Sequence, residues 1–180
     1  MNKCLYCYQE MEVIITGDYH QKCIKAFYGT VLASSLEYRL DKMEKLAKKS
    51  VELSITVPGV QPMISLGFIK TVLKNEYRVR LTIMNALNGT YILKPQNILH
   101  KEIPENELLS IKLAGLFKIN TVLSNMIRLQ SGELCFITKR IDRKKDSTKI
   151  HMIDFLQIIE LENKYMAQWN CLVKPLENYL

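Results

Sequence analysis

No stretch of this 180-residue chain can cross a bilayer as a continuous helix: the longest uncharged run, Leu53 to Ile69, is broken by Pro58, Pro62 and two glycines. The start, Met1-Asn2-Lys3-Cys4, lacks the apolar run of a secretory signal, so a soluble protein of the cytoplasm is expected. In that compartment five cysteines are not read as a disulfide framework. Nothing repeats internally, no tract is of low complexity, and no DNA-reading motif occurs, which argues against direct sequence-specific nucleic-acid recognition.

What the chain does have is enough apolar material, 48% of its residues, for one ordinary domain plus a small module. Lysine and arginine exceed aspartate and glutamate to give a formal charge of +7, a balance that suits a nucleotide, an acidic partner surface or a nucleoprotein complex. The charges are spread over helix-like stretches such as Lys42 to Lys49 and over a loop, Arg140 to Lys149. Such stretches read as solvated faces rather than as a nucleic-acid footprint.

Four candidate ligands stand at the front in two close pairs. Cys4 and Cys7 are two residues apart, twelve residues intervene, and His20 and Cys23 are again two apart. Each pair can clamp one edge of a tetrahedral ion, and three sulfurs with one imidazole suit zinc. Four protein ligands leave no open position, so the site would be structural. It would supply folding free energy that a segment of about thirty residues cannot find in apolar burial alone. The alternative is reduced thiols packed in a small apolar end, with His20 at the surface. Cys135 and Cys171 have no ligand spacing, and Cys135 sits in an apolar strand as a buried thiol would.

Periodicity organises the rest. Leu36, Leu40, Met43, Ala47 and Val51 recur as an amphipathic helix requires. Residues 53 to 60 read as a β-rich stretch broken at Pro58-Gly59, Met63 to Leu73 as a strand, and Tyr77 to Ile83 as a half-buried strand. Asn88-Gly89 predicts a hairpin turn into Thr90 to Lys94. Pro104, with Glu105 and Glu107 near the positive end of the dipole, opens a helix through about Ile119. Met126 to Leu129 and Glu133 to Lys139 form a second hairpin around Ser131-Gly132, and Ile150 to Glu162 reads as an apolar-rich helix.

Four motifs in order carry a family resemblance: Thr56-Val57-Pro58-Gly59-Val60-Gln61-Pro62-Met63, then Ile92-Leu93-Lys94-Pro95, then Glu105-Asn106-Glu107, then Ile137-Thr138-Lys139-Arg140-Ile141-Asp142-Arg143. They resemble the HipA family of bacterial toxin–antitoxin serine/threonine kinases, over residues 50 to 160. The fold this implies is α+β, a kinase-like N-terminal lobe with an antiparallel sheet and helices. A zinc knuckle at residues 1–30 and a linking helix at 31–52 would precede the lobe at 53–180.

The resemblance also implies a site. Lys94 is the lysine that grips nucleotide phosphates and Glu107 its ion-pair partner, with Glu105 the lesser candidate. Gly59 and Gln61 belong to the loop that covers the nucleotide, and Thr56 stands at the family's autophosphorylation position. Lys139 and Ile141 belong to the hinge whose backbone meets adenine. Read without the family, Lys94 is a strand-end lysine reaching solvent and the hinge an ordinary edge strand.

Two departures bear on ATP and magnesium. Met63 stands where the family has a lysine, which removes a positive charge near the phosphates, and threonine replaces the usual serine at position 56. The chain has five aspartates, and none is followed five residues later by asparagine, so the D-x4-N pattern of a catalytic loop is absent and no catalytic residue is assigned.

Three functions remain open. The first is an inactive HipA-like lobe that acts through a protein partner, a kinase C-lobe or a helix-turn-helix antitoxin, or that self-associates. The second is an active toxin kinase of which this chain is an incomplete part. The third is a zinc-stabilised adaptor without nucleotide chemistry.

Overall fold

In β3, Tyr91–Pro95, residues 91, 93 and 95 are buried and residues 92 and 94 half-buried, the two-residue period that sends Tyr91 and Leu93 to one face of a sheet and Lys94 to the other. The computed structural model describes residues 3–12, 17–30, 36–43, 45–46, 63–73, 76–83, 89–96, 100–144 and 148–153. Residues 1–141 form one compact unit and residues 142–180 another.

Within the first unit, β1 (Ile64–Leu73), β2 (Glu76–Thr82), β3, β4 (Ser124–Arg128) and β5 (Leu134–Lys139) make a five-stranded antiparallel sheet in the order β2-β1-β3-β5-β4. Helix α1 spans Gln21–Tyr28 and α2 spans Ile103–Leu116, between β3 and β4 in sequence. The fold class is α+β, as expected. The β4–β5 hairpin forms where the sequence places it, with Gly132 at φ 105° supplying the left-handed backbone its turn needs. Residues 40–43 and 45–46 are helical. The β-rich stretch expected at 53–60, the loop with Thr56, Gly59 and Gln61 expected to cover a nucleotide, and residues 154–180 lie outside the described residues.

One expectation is corrected. The Asn88-Gly89 signal predicts a hairpin pairing the Tyr77–Ile83 strand with the lysine strand, but β2 pairs with β1, and β3 pairs with β1 and β5. The ten-residue β1 is long enough to serve both neighbours. It meets β2 along Gly67 to Leu73 and β3 along Ile64 to Leu66. Long-range pairing along β1 therefore outcompetes the local turn signal, and β3 becomes the central strand.

Two apolar clusters flank the sheet. The larger joins Ile64, Leu66, Leu81, Tyr91, Leu93, Ile127 and Ile137 to Cys4, Tyr19, Cys23, Phe27 and Tyr28 from the front of the chain. The cysteine-bearing segment and the sheet thus share one core. The rings of Phe27, Tyr28, Phe68 and Tyr91 meet tilted or edge to face at 4.7 to 6.3 Å. The smaller cluster holds α2 down through Leu108 on Met126 and Phe136.

Pro104 and Glu105 start α2 as predicted. The helix ends at Leu116 rather than Ile119 because Lys118 adopts φ 61°, the left-handed conformation that closes a helix, and the amide of Ile119 bonds back to Ala114. In the second unit, residues 143 and 149 form an antiparallel bridge across the charged loop, and residues 150–153 are not helical. The rest of the helix expected at 150–162 lies outside the described residues.

Candidate functional site

Lys94 leaves β3 on the α2 side of the sheet, where its ammonium lies 2.9 Å from one carboxylate oxygen of Glu107 and 3.0 Å from the other. Both side chains are about a quarter exposed, so the pair is partly shielded yet open to a ligand. The ammonium also lies 5.6 Å from the ring centre of Phe136, which faces Lys94 across the β3–β5 register. A cavity of about 550 Å³ opens over the pair. Asn106, Glu107 and Ser110 of α2 form one wall, and Val122, Phe136 and Thr138 line the other. Its size is that of a small-ligand site, with few polar groups on an apolar lining.

Glu107, not Glu105, is the partner. The helix turns Glu107 toward the sheet, while Glu105 is exposed near Tyr8, whose phenol it helps to push up after burial. At the strand end, the amides of Lys139 and Arg140 donate to the carbonyls of Leu123 and Thr90, and the Thr138 hydroxyl donates to Leu123 as well. Those two amides are spent within the protein. Ile137 is fully buried, and Ile141, 58% exposed, is the apolar residue this segment shows to solvent.

The front of the chain brings Cys4, Cys7, His20 and Cys23 together, with their four ligand atoms all within 4.8 Å of one another. Such a cluster could hold a metal ion. Nδ1 of His20 lies 3.4 Å from the Cys7 sulfur and 4.0 Å from the Cys23 sulfur, while Nε2 lies 3.1 Å from the Glu10 carbonyl. A proton on Nε2, donated to that carbonyl, leaves the Nδ1 lone pair facing the sulfurs, the outer support a metal-binding imidazole needs.

The thiols are electrostatically crowded. Burial pushes Cys4 up, but hydrogen bonds from the backbone of Cys7, His20 and Tyr6 outweigh it and bring the thiol down to about 6. Burial, with the neighbouring Cys7 and Cys4, pushes Cys23 up to about 12. A dication would remove that penalty by compensating several thiolates at once. Cys135, by contrast, is wholly buried in β5 and pushed up to about 12 by burial, as an inert structural thiol is.

Several supporting residues carried no recognisable signal in the sequence. Tyr19, next to His20, donates its hydroxyl to the Met126 carbonyl of β4. Asp18 accepts from Nε and Nη2 of Arg128, a fork on the same strand. Tyr6, between Cys4 and Cys7, lies under the Lys112 ammonium of α2 at 5.1 Å.

Residues 55–179 match the family model described as the HipA-like C-terminal domain. The match spans more than half of the chain, and the protein belongs to that family. Lys94, Glu107 and the Thr138–Ile141 segment fall inside it, whereas the cysteine–histidine cluster precedes it. No curated protein matches the chain. No helix among the described residues is long and apolar enough to span a membrane.

Proposed function

We propose that this chain is the nucleotide-gripping, N-terminal lobe of a HipA-like toxin kinase, that it does not transfer phosphate alone, and that it acts through a protein partner. The observation that carries the reading is the Lys94–Glu107 ion pair at 2.9 Å. A lysine on the third strand of a kinase lobe, oriented by a glutamate of the following helix, grips the α- and β-phosphates of ATP. The name of the family model refers to a C-terminal domain, and the two descriptions agree if that domain includes the lysine-bearing lobe. The presence of both residues within the matched range supports this.

Lys94 would meet the phosphates in the cavity beside α2, and Glu107 would keep its ammonium from swinging to solvent. The adenine would lie toward the strand end at Lys139 and Ile141. With the Lys139 and Arg140 amides already bonded, other groups of that segment would have to meet the ring. The loop with Thr56, Gly59 and Gln61 would cover the nucleotide. Met63 in place of the family's lysine leaves Lys94 to carry more of the phosphate charge.

Inactivity alone follows from the inventory of aspartates: magnesium needs an aspartate with an asparagine, and no D-x4-N pattern occurs. A complementary kinase lobe or a helix-turn-helix antitoxin would complete the machinery. At the front, Cys4, Cys7, His20 and Cys23 would hold one structural zinc. Three sulfurs and an imidazole whose second nitrogen is fixed by Glu10 suit that ion.

The test is phosphate transfer from radiolabelled ATP by the purified chain, alone and with a matching kinase C-lobe. No label on Thr56 or on an added protein is expected from the chain alone. Label on Thr56 from the chain alone, surviving removal of contaminating kinases, would refute the proposal of an inactive lobe.

A further inference from the structure

The cysteine loop touches the helix that carries Glu107, and this contact joins two sites that are otherwise separate. Between the paired ligands Cys4 and Cys7 stand Leu5 and Tyr6. Leu5 packs against both apolar clusters, the smaller of which contains Leu108 of α2, and its amide is fixed on the Asp18 carbonyl at 2.9 Å. Tyr6 packs its ring on Phe27 at 5.9 Å and presents it to the Lys112 ammonium. Leu108 and Ile111 lie within about a turn of Glu107 on the same helix, and Lys112 within about a turn and a half.

We propose that Leu5 and Tyr6 are positioning residues for Glu107, so that closing the Cys4–Cys7 loop around a metal ion sets the Lys94–Glu107 pair for phosphate. The loop is short and held at both ends, since Cys4 donates to the Gln9 carbonyl and Tyr8 to the Cys4 carbonyl. An ion held by Cys4 and Cys7 together with His20 and Cys23 would add a cross-link at both ends of the tip and keep it pressed on α2. With the ion removed, that cross-link among Cys4, Cys7, His20 and Cys23 is lost, and the tip is less constrained in facing Leu108 and Lys112. By linkage, metal occupancy and phosphate binding then reinforce each other to the same extent.

The inference rests on the reading of Lys94–Glu107 as a phosphate grip, and its test separates the two. Amide hydrogen exchange is measured on the metal-loaded full chain for wild type, Leu5→Ala, Tyr6→Ala and Tyr6→Phe, each with its zinc content checked, and on wild type after chelation. Binding of magnesium-ATP to the same samples is measured by calorimetry. The expected result is exchange about tenfold faster at residues 106–111 in Leu5→Ala and Tyr6→Ala with zinc retained. Strands β1 and β2 should be unchanged, and Tyr6→Phe, which keeps the ring under Lys112, should match wild type. Chelation should reproduce the effect at α2, and ATP affinity should fall alongside it. Faster exchange at α2 with no ATP binding in wild type would support the positioning role and refute the phosphate reading. Unchanged exchange at α2 in both alanine variants, or a rise in those zinc-retaining variants that is uniform over the whole sheet, would overturn the proposal.

Discussion

Lys94 and Glu107 come from consecutive elements, the central strand and the helix that follows it, and meet at 2.9 Å with each side chain about a quarter exposed. A pair at that depth contributes modestly to stability and strongly to orientation. Glu107→Gln should lower stability by about 1 kcal/mol or less, because the amide keeps the shape and one acceptor while losing the charge. Urea unfolding monitored by circular dichroism checks this. A loss several times larger would make the pair a folding element rather than a poised site.

Metal content should be close to one zinc per chain. Because Cys4 and Cys23 lie in the same core as Tyr91, Leu93 and Ile137, chelation should lower the melting temperature of the first unit by more than about 5 °C. In the chelated protein Cys4, brought down to about 6, and the half-buried Cys7 should alkylate with iodoacetamide at neutral pH ahead of Cys23 and Cys135, both pushed up to about 12. Mass spectrometry reads both. Equal alkylation of all four in the metal-loaded protein would count against a closed site.

Stability should decline in alkali. Burial raises Cys135 from 9.0 and Tyr91 from 10.0, each to about 12, and raises the buried Tyr19 and Tyr28 as well. These groups stay neutral in the folded chain after the unfolded chain has begun to ionise. Their contribution is therefore intact below about pH 9 and is lost progressively as the pH rises toward 12. Thermal melts between pH 7 and 11 should show the fall, and Tyr91→Phe should make it shallower.

The strands at 64–73, 76–82, 124–128 and 134–139 and the start of α2 were legible because each has a local cause: alternation, a proline at a helix start, a glycine in a turn. The partner of β3 was not, because strand order is decided by the length of β1 and by pairings between distant residues. Cys4, Cys7, His20 and Cys23 could be picked out by spacing alone. Their tie to the sheet through Tyr19, Asp18 and Arg128 could not, since a hydroxyl on a carbonyl more than a hundred residues away leaves no periodic trace. The choice of Glu107 over Glu105 came from the resemblance, and the facing of the helix agrees with it.

The outer side of α2 leaves Leu109, Leu113, Leu116 and Phe117 exposed in one stripe, Phe117 by 79%. An apolar stripe of this kind is where the partner reading would place an interface. Under the partner reading the chain should self-associate or bind a complementary lobe, and Leu116→Glu with Phe117→Glu should weaken that association without unfolding the chain. Light scattering at several concentrations, before and after mixing with a kinase C-lobe, measures it. A monomer indifferent to such a lobe would favour the zinc-stabilised adaptor.

The most direct test of the central claim is calorimetric titration of a non-hydrolysable ATP analogue with magnesium into metal-loaded wild type, Lys94→Met and Glu107→Gln. Saturable binding by wild type is expected, weakened by about tenfold or more in both variants while their circular dichroism is unchanged. No binding by wild type, or equal affinity in all three, would contradict it.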